Sequence, residues 1–132
     1  MTARDDRCAI VLGIHGPGEN SFGGEETLAR DIAERYAISE FDRRVGYADE
    51  RSVEEFLKEL EILPIASEKV LAIFRNIQHV SRESWRTVLD YLHSPYDHVC
   101  LILSGTDLKP EVKRDRKLMA AIRPYIVSQK SE

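Results

Sequence analysis

The chain has 132 residues and a mass of 15.1 kDa; 42% of its residues are hydrophobic, 32% are charged, and the net charge is −4. This apolar fraction excludes a disordered chain and suits one domain, no apolar run reaches the ~18 residues of a membrane span, and the acidic balance excludes a bulk nucleic-acid coat. The charge is uneven: residues 1–66 carry 8 basic and 15 acidic side chains, and residues 67–132 carry 11 and 8, so only the second half offers positive surface to phosphates or an acidic partner.

Cys8 to Ile14 (CAIVLGI) is nearly all apolar, as a strand covered on both faces would be. Gly13, Gly16, Pro17, Gly18, Gly23 and Gly24 then punctuate a long loop. Helical periodicity follows over residues 25–37. Leu28, Ile32 and Tyr36 fall four apart, and Glu25 and Glu26 suit the positive N-terminal end of the helix dipole. Phe41 to Tyr47 reads as a strand whose Arg43 and Arg44 suit a sheet edge, where charge discourages pairing with other chains. Ser52 opens a second helix, with Glu55 at capping-box spacing and a stripe of Val53, Phe56, Leu57 and Leu60; Pro64 ends it. Val70 to Phe74 (VLAIF) is a second buried strand. Ser81 caps a third helix striped by Trp85, Val88, Leu89 and Leu92, which Pro95 stops. Val99 to Leu103 (VCLIL) is the third buried strand, Glu111 to Ile122 the last helix, and Tyr125 to Val127 a short final strand.

Strands alternating with helices predict an α/β fold: a mainly parallel, five-stranded sheet between two helix layers, in one domain over residues 1–132. Two cysteines, Cys8 and Cys100, both in apolar runs, suggest buried reduced thiols in a cytoplasmic protein. In such sheets the functional loops lie beyond the carboxyl ends of the strands.

The first of these loops has the layout of a phosphate-binding loop. Gly13 and Gly18 have the spacing of G-x-x-x-x-G-K-[S/T], but Glu19 and Asn20 stand where a lysine and a hydroxyl residue should follow. A glutamate there repels the phosphates it would have to hold. The second loop departs in the same sense. An ATPase strand such as Val70 to Phe74 would run into acidic residues that hold magnesium, whereas Arg75 and Asn76 follow here. Two departures at matching strand ends predict no ATP hydrolysis and no cofactor. After the third strand, Ser104 and Thr106 could sense a phosphate or serve as ordinary turn residues.

No histidine pair has zinc-ligand spacing, and no metal site is expected. His15 lies in the glycine loop and could act in acid–base chemistry with Glu19, but no nucleophile is placed beside it by spacing; His79, His93 and His98 sit near element ends. No catalytic residue is assigned. The densest positive cluster is Lys113, Arg114, Arg116 and Lys117, around Asp115. It reads either as a solvated helix face or as a contact to a phosphate backbone or an acidic partner.

Four stretches in order carry a resemblance that spans residues 9–127. They are Gly18-Glu19-Asn20-Ser21-Phe22 with Glu25-Glu26; Ser52-Val53-Glu54-Glu55-Phe56 leading to Leu63-Pro64-Ile65; Ser67 to Asn76; and Lys113 to Leu118. Together they resemble the N-terminal domain of the delta subunit of the bacterial DNA polymerase III clamp loader. The resemblance implies a P-loop NTPase fold of the AAA+ type that has lost its ATP site. It also implies a non-catalytic role in DNA replication: binding the ring-shaped sliding clamp and helping to open it, beside ATP-hydrolysing clamp-loader subunits and primer-template DNA.

The family's clamp-binding plug, P-L-F, falls by position on Pro64, Ile65 and Ala66, so Leu63, Pro64, Ile65 and Ala66 are the expected clamp-binding residues. Here Ala66 replaces the plug's aromatic. Leu63 and Ile65 could partly substitute for it, or could simply close the core beside the helix end. The family's proteins are more than twice this length, with lid and collar domains after the final strand, so the chain is expected to be the first domain alone, either cut from a longer protein or a free-standing relative. Two rivals remain. One is a small α/β enzyme or anion-binding protein using the glycine-rich loop 13–24. The other is a DNA-binding module using the basic helix 111–122.

Overall fold

Along Val70–Arg75 and Val99–Gly105 the side chains alternate between two apolar clusters, which places these strands at the centre of the sheet. The computed structural model describes residues 9–14 and 21–127, with side chains described from 25 to 125. Its sheet has the order β2-β3-β4-β1-β5, where β1 is Ala9–Ile14, β2 Arg43–Tyr47, β3 Val70–Arg75, β4 Val99–Gly105 and β5 Ile126–Val127. Every pairing is parallel. β2 is an edge, so Arg43 and Arg44 sit where their charge discourages pairing with other chains. Parallel neighbours need crossovers, and these are helices: α1 Ser21–Tyr36, α2 Val53–Glu59, α3 Arg82–His93, α4 Pro110–Lys113 and α5 Arg116–Ile122.

The two faces are covered unequally. Val70, Ala72 and Phe74 of β3 and Val99, Leu101 and Leu103 of β4 point to one face. There they meet Phe56, Leu57 and Leu60, Trp85, Val88 and Leu92, and Leu118 and Ile122. Leu71, Ile73, Cys100 and Ile102 point to the other face and meet Ala29 and Ile32 of α1. Phe56 packs against Phe74 with ring centroids 4.9 Å apart and the ring planes tilted by 33°. Their approach is possible because Gly46 lies beneath them, where a Cβ would come within 2.7 Å of Phe56 Cδ1. Cys100 is buried; Cys8 and His15 lie outside the described residues. Among the described residues no helix is long and apolar enough to cross a membrane.

The expected caps form at two helices. Ser52 Oγ accepts from the Glu55 N–H at 3.1 Å and Ser81 Oγ from the Ser84 N–H at 3.1 Å. Other boundaries move. α1 begins at Ser21, four residues before the periodic stretch. The helix expected to run from Ser52 to Pro64 ends by Leu60, and residues 61–69 form a loop. Phe41 and Asp42 belong to a 3-10 turn, Glu40–Asp42, and the strand starts at Arg43. The single helix expected over 111–122 is two. Pro110 opens α4, which stops at Lys113, and Asp115 caps α5 by accepting the Leu118 N–H at 3.0 Å. Asp115 is better satisfied as an N-cap than inside a helix, so the break follows from its short acceptor side chain.

Candidate functional site

Two constellations stand at opposite ends of the sheet. At the carboxyl ends of β2, β3 and β4 a charged side chain is buried. Glu25, only 1% exposed, reaches across from α1. Its Oε2 accepts from Arg75 Nε at 2.8 Å and from Nη2 at 2.5 Å. Its Oε1 accepts from Ser104 Oγ at 2.6 Å. Arg75 Nη1 donates to the Tyr47 hydroxyl at 2.9 Å. Burial opposes the Arg75 charge, but Glu25 and Tyr47 outweigh it and raise the Arg75 pKa above its ordinary value.

Glu25 is thus not a helix-end charge facing the dipole. It lies in the second turn of α1 and joins that helix to two strands. Ser104, read from sequence as a phosphate sensor or a turn residue, is a buried strand residue that donates to Glu25. Both oxygens of this carboxylate are occupied by protein donors.

Asn76 follows with φ 65° and ψ 43°, a left-handed conformation that asparagine tolerates. Its side chain donates to Asp49 Oδ1 at 2.8 Å, and this bond is the main reason the Asp49 carboxyl lies below its ordinary pKa. Gly105, opposite Ile14 in the ladder, lets the β4 end approach the turn after β3; a Cβ would lie 2.9 Å from the Ile77 nitrogen. Gly13 lies within β1, while Gly18, Glu19 and Asn20 lie outside the described residues. No group of three or more His, Cys, Asp or Glu side chains among the described residues is arranged to hold a metal ion.

The second constellation is at the amino ends of the strands, away from the loops that the fold class singles out. Asp42 is fully buried. Its Oδ1 accepts the Ile65 N–H at 2.7 Å and its Oδ2 the Ala66 N–H at 2.8 Å. Burial would raise the Asp42 pKa, but the Ile65, Ala66 and Ser67 donors lower it below the ordinary value. Arg44 clamps the same loop from the other side, donating to the carbonyls of Glu59 (3.3 Å), Ile62 (2.9 Å) and Leu63 (3.4 Å). His98 Nε2 bonds the Leu60 carbonyl at 2.7 Å, and the Tyr96 hydroxyl donates to Glu61 at 3.2 Å.

The loop held this way displays apolar side chains to water. Ile62, Leu63 and Ile65 are 62%, 65% and 80% exposed, and Phe41, next to the clamping Asp42, is 78% exposed. Leu63 and Ile65 therefore do not close the core beside the helix end. Pro64 is half-buried and Ala66 is exposed. Sequence reasoning singled out residues 63–66 but missed Asp42, Arg44 and Phe41, whose proximity comes from contacts across 15–24 positions of chain. The residues of the basic run are split. Lys113 and Arg114 end α4 while Arg116 and Lys117 begin α5.

No family model and no characterised protein matches this sequence. Solved structures do match. The Bacillus subtilis DNA clamp loader delta protein superposes with a TM-score of 0.63 at 18% identity, over 89% of this chain and 36% of that one. A DNA polymerase III gamma subunit-related protein of Thermotoga maritima superposes with a TM-score of 0.61 at 11% identity, over 96% of this chain and 43% of that one. The chain thus spans well under half the length of either neighbour, and the parallel α/β sheet with its flanking helices has the fold of these clamp-loader-like proteins.

Proposed function

We propose that the chain is a non-catalytic, AAA+-like clamp-loader domain that binds a sliding clamp through the loop Leu63, Pro64, Ile65 and Ala66. The observation that carries this reading is the apolar loop held out to solvent by Asp42 and Arg44. Exposed isoleucine and leucine on a mobile loop would pay an ordering cost on binding; here two charged side chains hold the loop by its backbone before any partner arrives. Binding energy at such a tip favours whichever clamp conformation fits it better, and so shifts the ring toward opening.

The occupied carboxylate of Glu25, with Arg75 at the end of β3, supports the absence of ATP hydrolysis. The degenerate nucleotide site comprises Gly13, Gly18, Glu19, Asn20, Arg75 and Asn76, and energy for loading comes from other clamp-loader subunits.

Phe41 is a second source of the aromatic anchor that Ala66 lacks. Its backbone neighbour Asp42 bonds Ile65 and Ala66 directly. A buried aromatic anchor in an interface contributes on the order of 2 kcal/mol.

Calorimetry with the cognate clamp tests the proposal. The chain binds, Ile65→Asp abolishes binding, and unfolding of that variant matches the parent because the side chain is exposed. A chain that does not bind the clamp, or binding indifferent to Ile65→Asp, refutes it.

A further inference from the structure

A groove of about 560 Å³ lies along α4, α5 and the turn after them, lined by Lys113, Arg116, Met119, Ala120, Arg123 and Pro124. On α5 and its continuation Arg116, Met119, Ala120 and Arg123 recur at i, i+3, i+4 and i+7, so they share one side. Arg116 and Arg123 therefore stand two turns apart, about 10 Å along the axis, with apolar side chains between them. Lys113 is paired with Asp107 at 3.1 Å. Arg116 and Arg123 are exposed, and neither has an acidic partner among the described residues. Two uncompensated guanidinium groups flanking a methionine form a charge pattern that calls for its complement.

The geometry points to an acidic peptide segment as the occupant: an extended stretch of the pattern acid–x–apolar–x–acid. In an extended chain, residues two apart lie on one face at about 3.3 Å per residue. Two carboxylates four residues apart are then about 13 Å apart, within reach of two flexible arginines, with the apolar side chain between them over Met119. Methionine suits this place because its unbranched thioether adapts to different apolar shapes. A nucleic-acid strand fits the groove less well. Its phosphates form a continuous row that gains nothing from an apolar middle, and none of the described residues lining the groove is an aromatic on which a base could stack. This surface is separate from the loop at residues 62–65 and does not depend on the clamp.

The test is an NMR titration of the 15N-labelled 132-residue chain with the blocked peptide Glu-Ser-Leu-Ser-Glu. The amides of residues 116–124 shift in a saturable way. Affinity falls on the order of tenfold or more when both glutamates become glutamine, and again when leucine becomes serine. The exposed double variant Arg116→Glu/Arg123→Glu loses binding, whereas Arg30→Glu/Arg35→Glu on α1 keeps it. Three results overturn the inference. One is equal binding of the leucine-free peptide, which marks charge attraction alone. Another is a 15-nucleotide thymidine strand that shifts the same amides at lower concentration than the peptide. The last is concentration-dependent dimerisation in the ultracentrifuge that perturbs those amides without peptide, which assigns the groove to a second copy of the chain.

Discussion

Replacing Arg75 by methionine leaves the Glu25 carboxylate buried with Ser104 but without its guanidinium. Removing one partner of a buried ion pair costs about 3–5 kcal/mol, because the other charge has lost its compensation. The two partners are not equivalent. Glu25 is 1% exposed at its side chain and Arg75 is 19% exposed. Water can therefore reach an orphaned Arg75 but not an orphaned Glu25, so Glu25→Gln costs less than Arg75→Met, about 1.5–3 kcal/mol for the charge-assisted bonds. The double variant Glu25→Met/Arg75→Met removes both charges and fills similar volume, so it is more stable than Arg75→Met alone.

Trp85 is the single tryptophan and is fully buried, so its emission reports unfolding in urea directly. At about 3 °C per kcal/mol for a domain of this size, Arg75→Met lowers the melting temperature by roughly 10 °C. An Arg75→Met chain within 1 kcal/mol of the parent, or a double variant less stable than the single, would show that the pair is not the buried, mutually dependent unit described here.

Four further outcomes follow from the structure. Asp42→Asn loses one of the two bonds to Ile65 and Ala66, since an amide presents one acceptor oxygen; hydrogen exchange at the Ile65 and Ala66 amides accelerates, and equal rates in both chains would contradict the clamp. Because the folded Asp42 pKa lies below its ordinary 3.8, its stabilisation is complete above that pH and is lost as pH falls below it; the parent's advantage over Asp42→Asn is therefore flat at neutral pH and shrinks in acid, and an advantage that persists unchanged in acid would refute it. Gly46→Val drives a side chain into Phe56 and Phe74 and costs about 1–3 kcal/mol in urea unfolding, whereas an unchanged midpoint would mean the rings can separate freely. ATP with magnesium leaves the melting temperature unchanged, and a rise that saturates with nucleotide would refute the assignment of a degenerate site.

The central strands were legible because each is apolar on both faces; Val70 to Phe74 and Val99 to Leu103 can only be buried. The caps at Ser52 and Ser81 were legible for a local reason, since donor and acceptor are three residues apart. The break at Asp115 was equally local, but it falls inside the charged run Lys113 to Lys117, where no apolar position marks the phase of either helix. What the sequence could not reveal lies in long-range pairs. Glu25 meets Arg75 across 50 positions and Ser104 across 79, and a glutamate directly after Gly23 and Gly24 looks like any first-turn acid. The resemblance singled out the residues of the tip by position, but not the two side chains that hold them, because Asp42 ends the preceding crossover and Arg44 lies in β2.

β3 joins the two constellations. It begins directly after the loop fastened by Asp42 and Arg44 and ends at Arg75. Its six residues span roughly 17 Å. A tug on Ile65 therefore enters a strand laddered on both sides and meets resistance in shear across two rows of amide bonds. At its far end the strand is riveted to α1 through Glu25. Mechanically the protrusion is the head of a bolt rather than a door on a hinge, and force applied there turns the whole body.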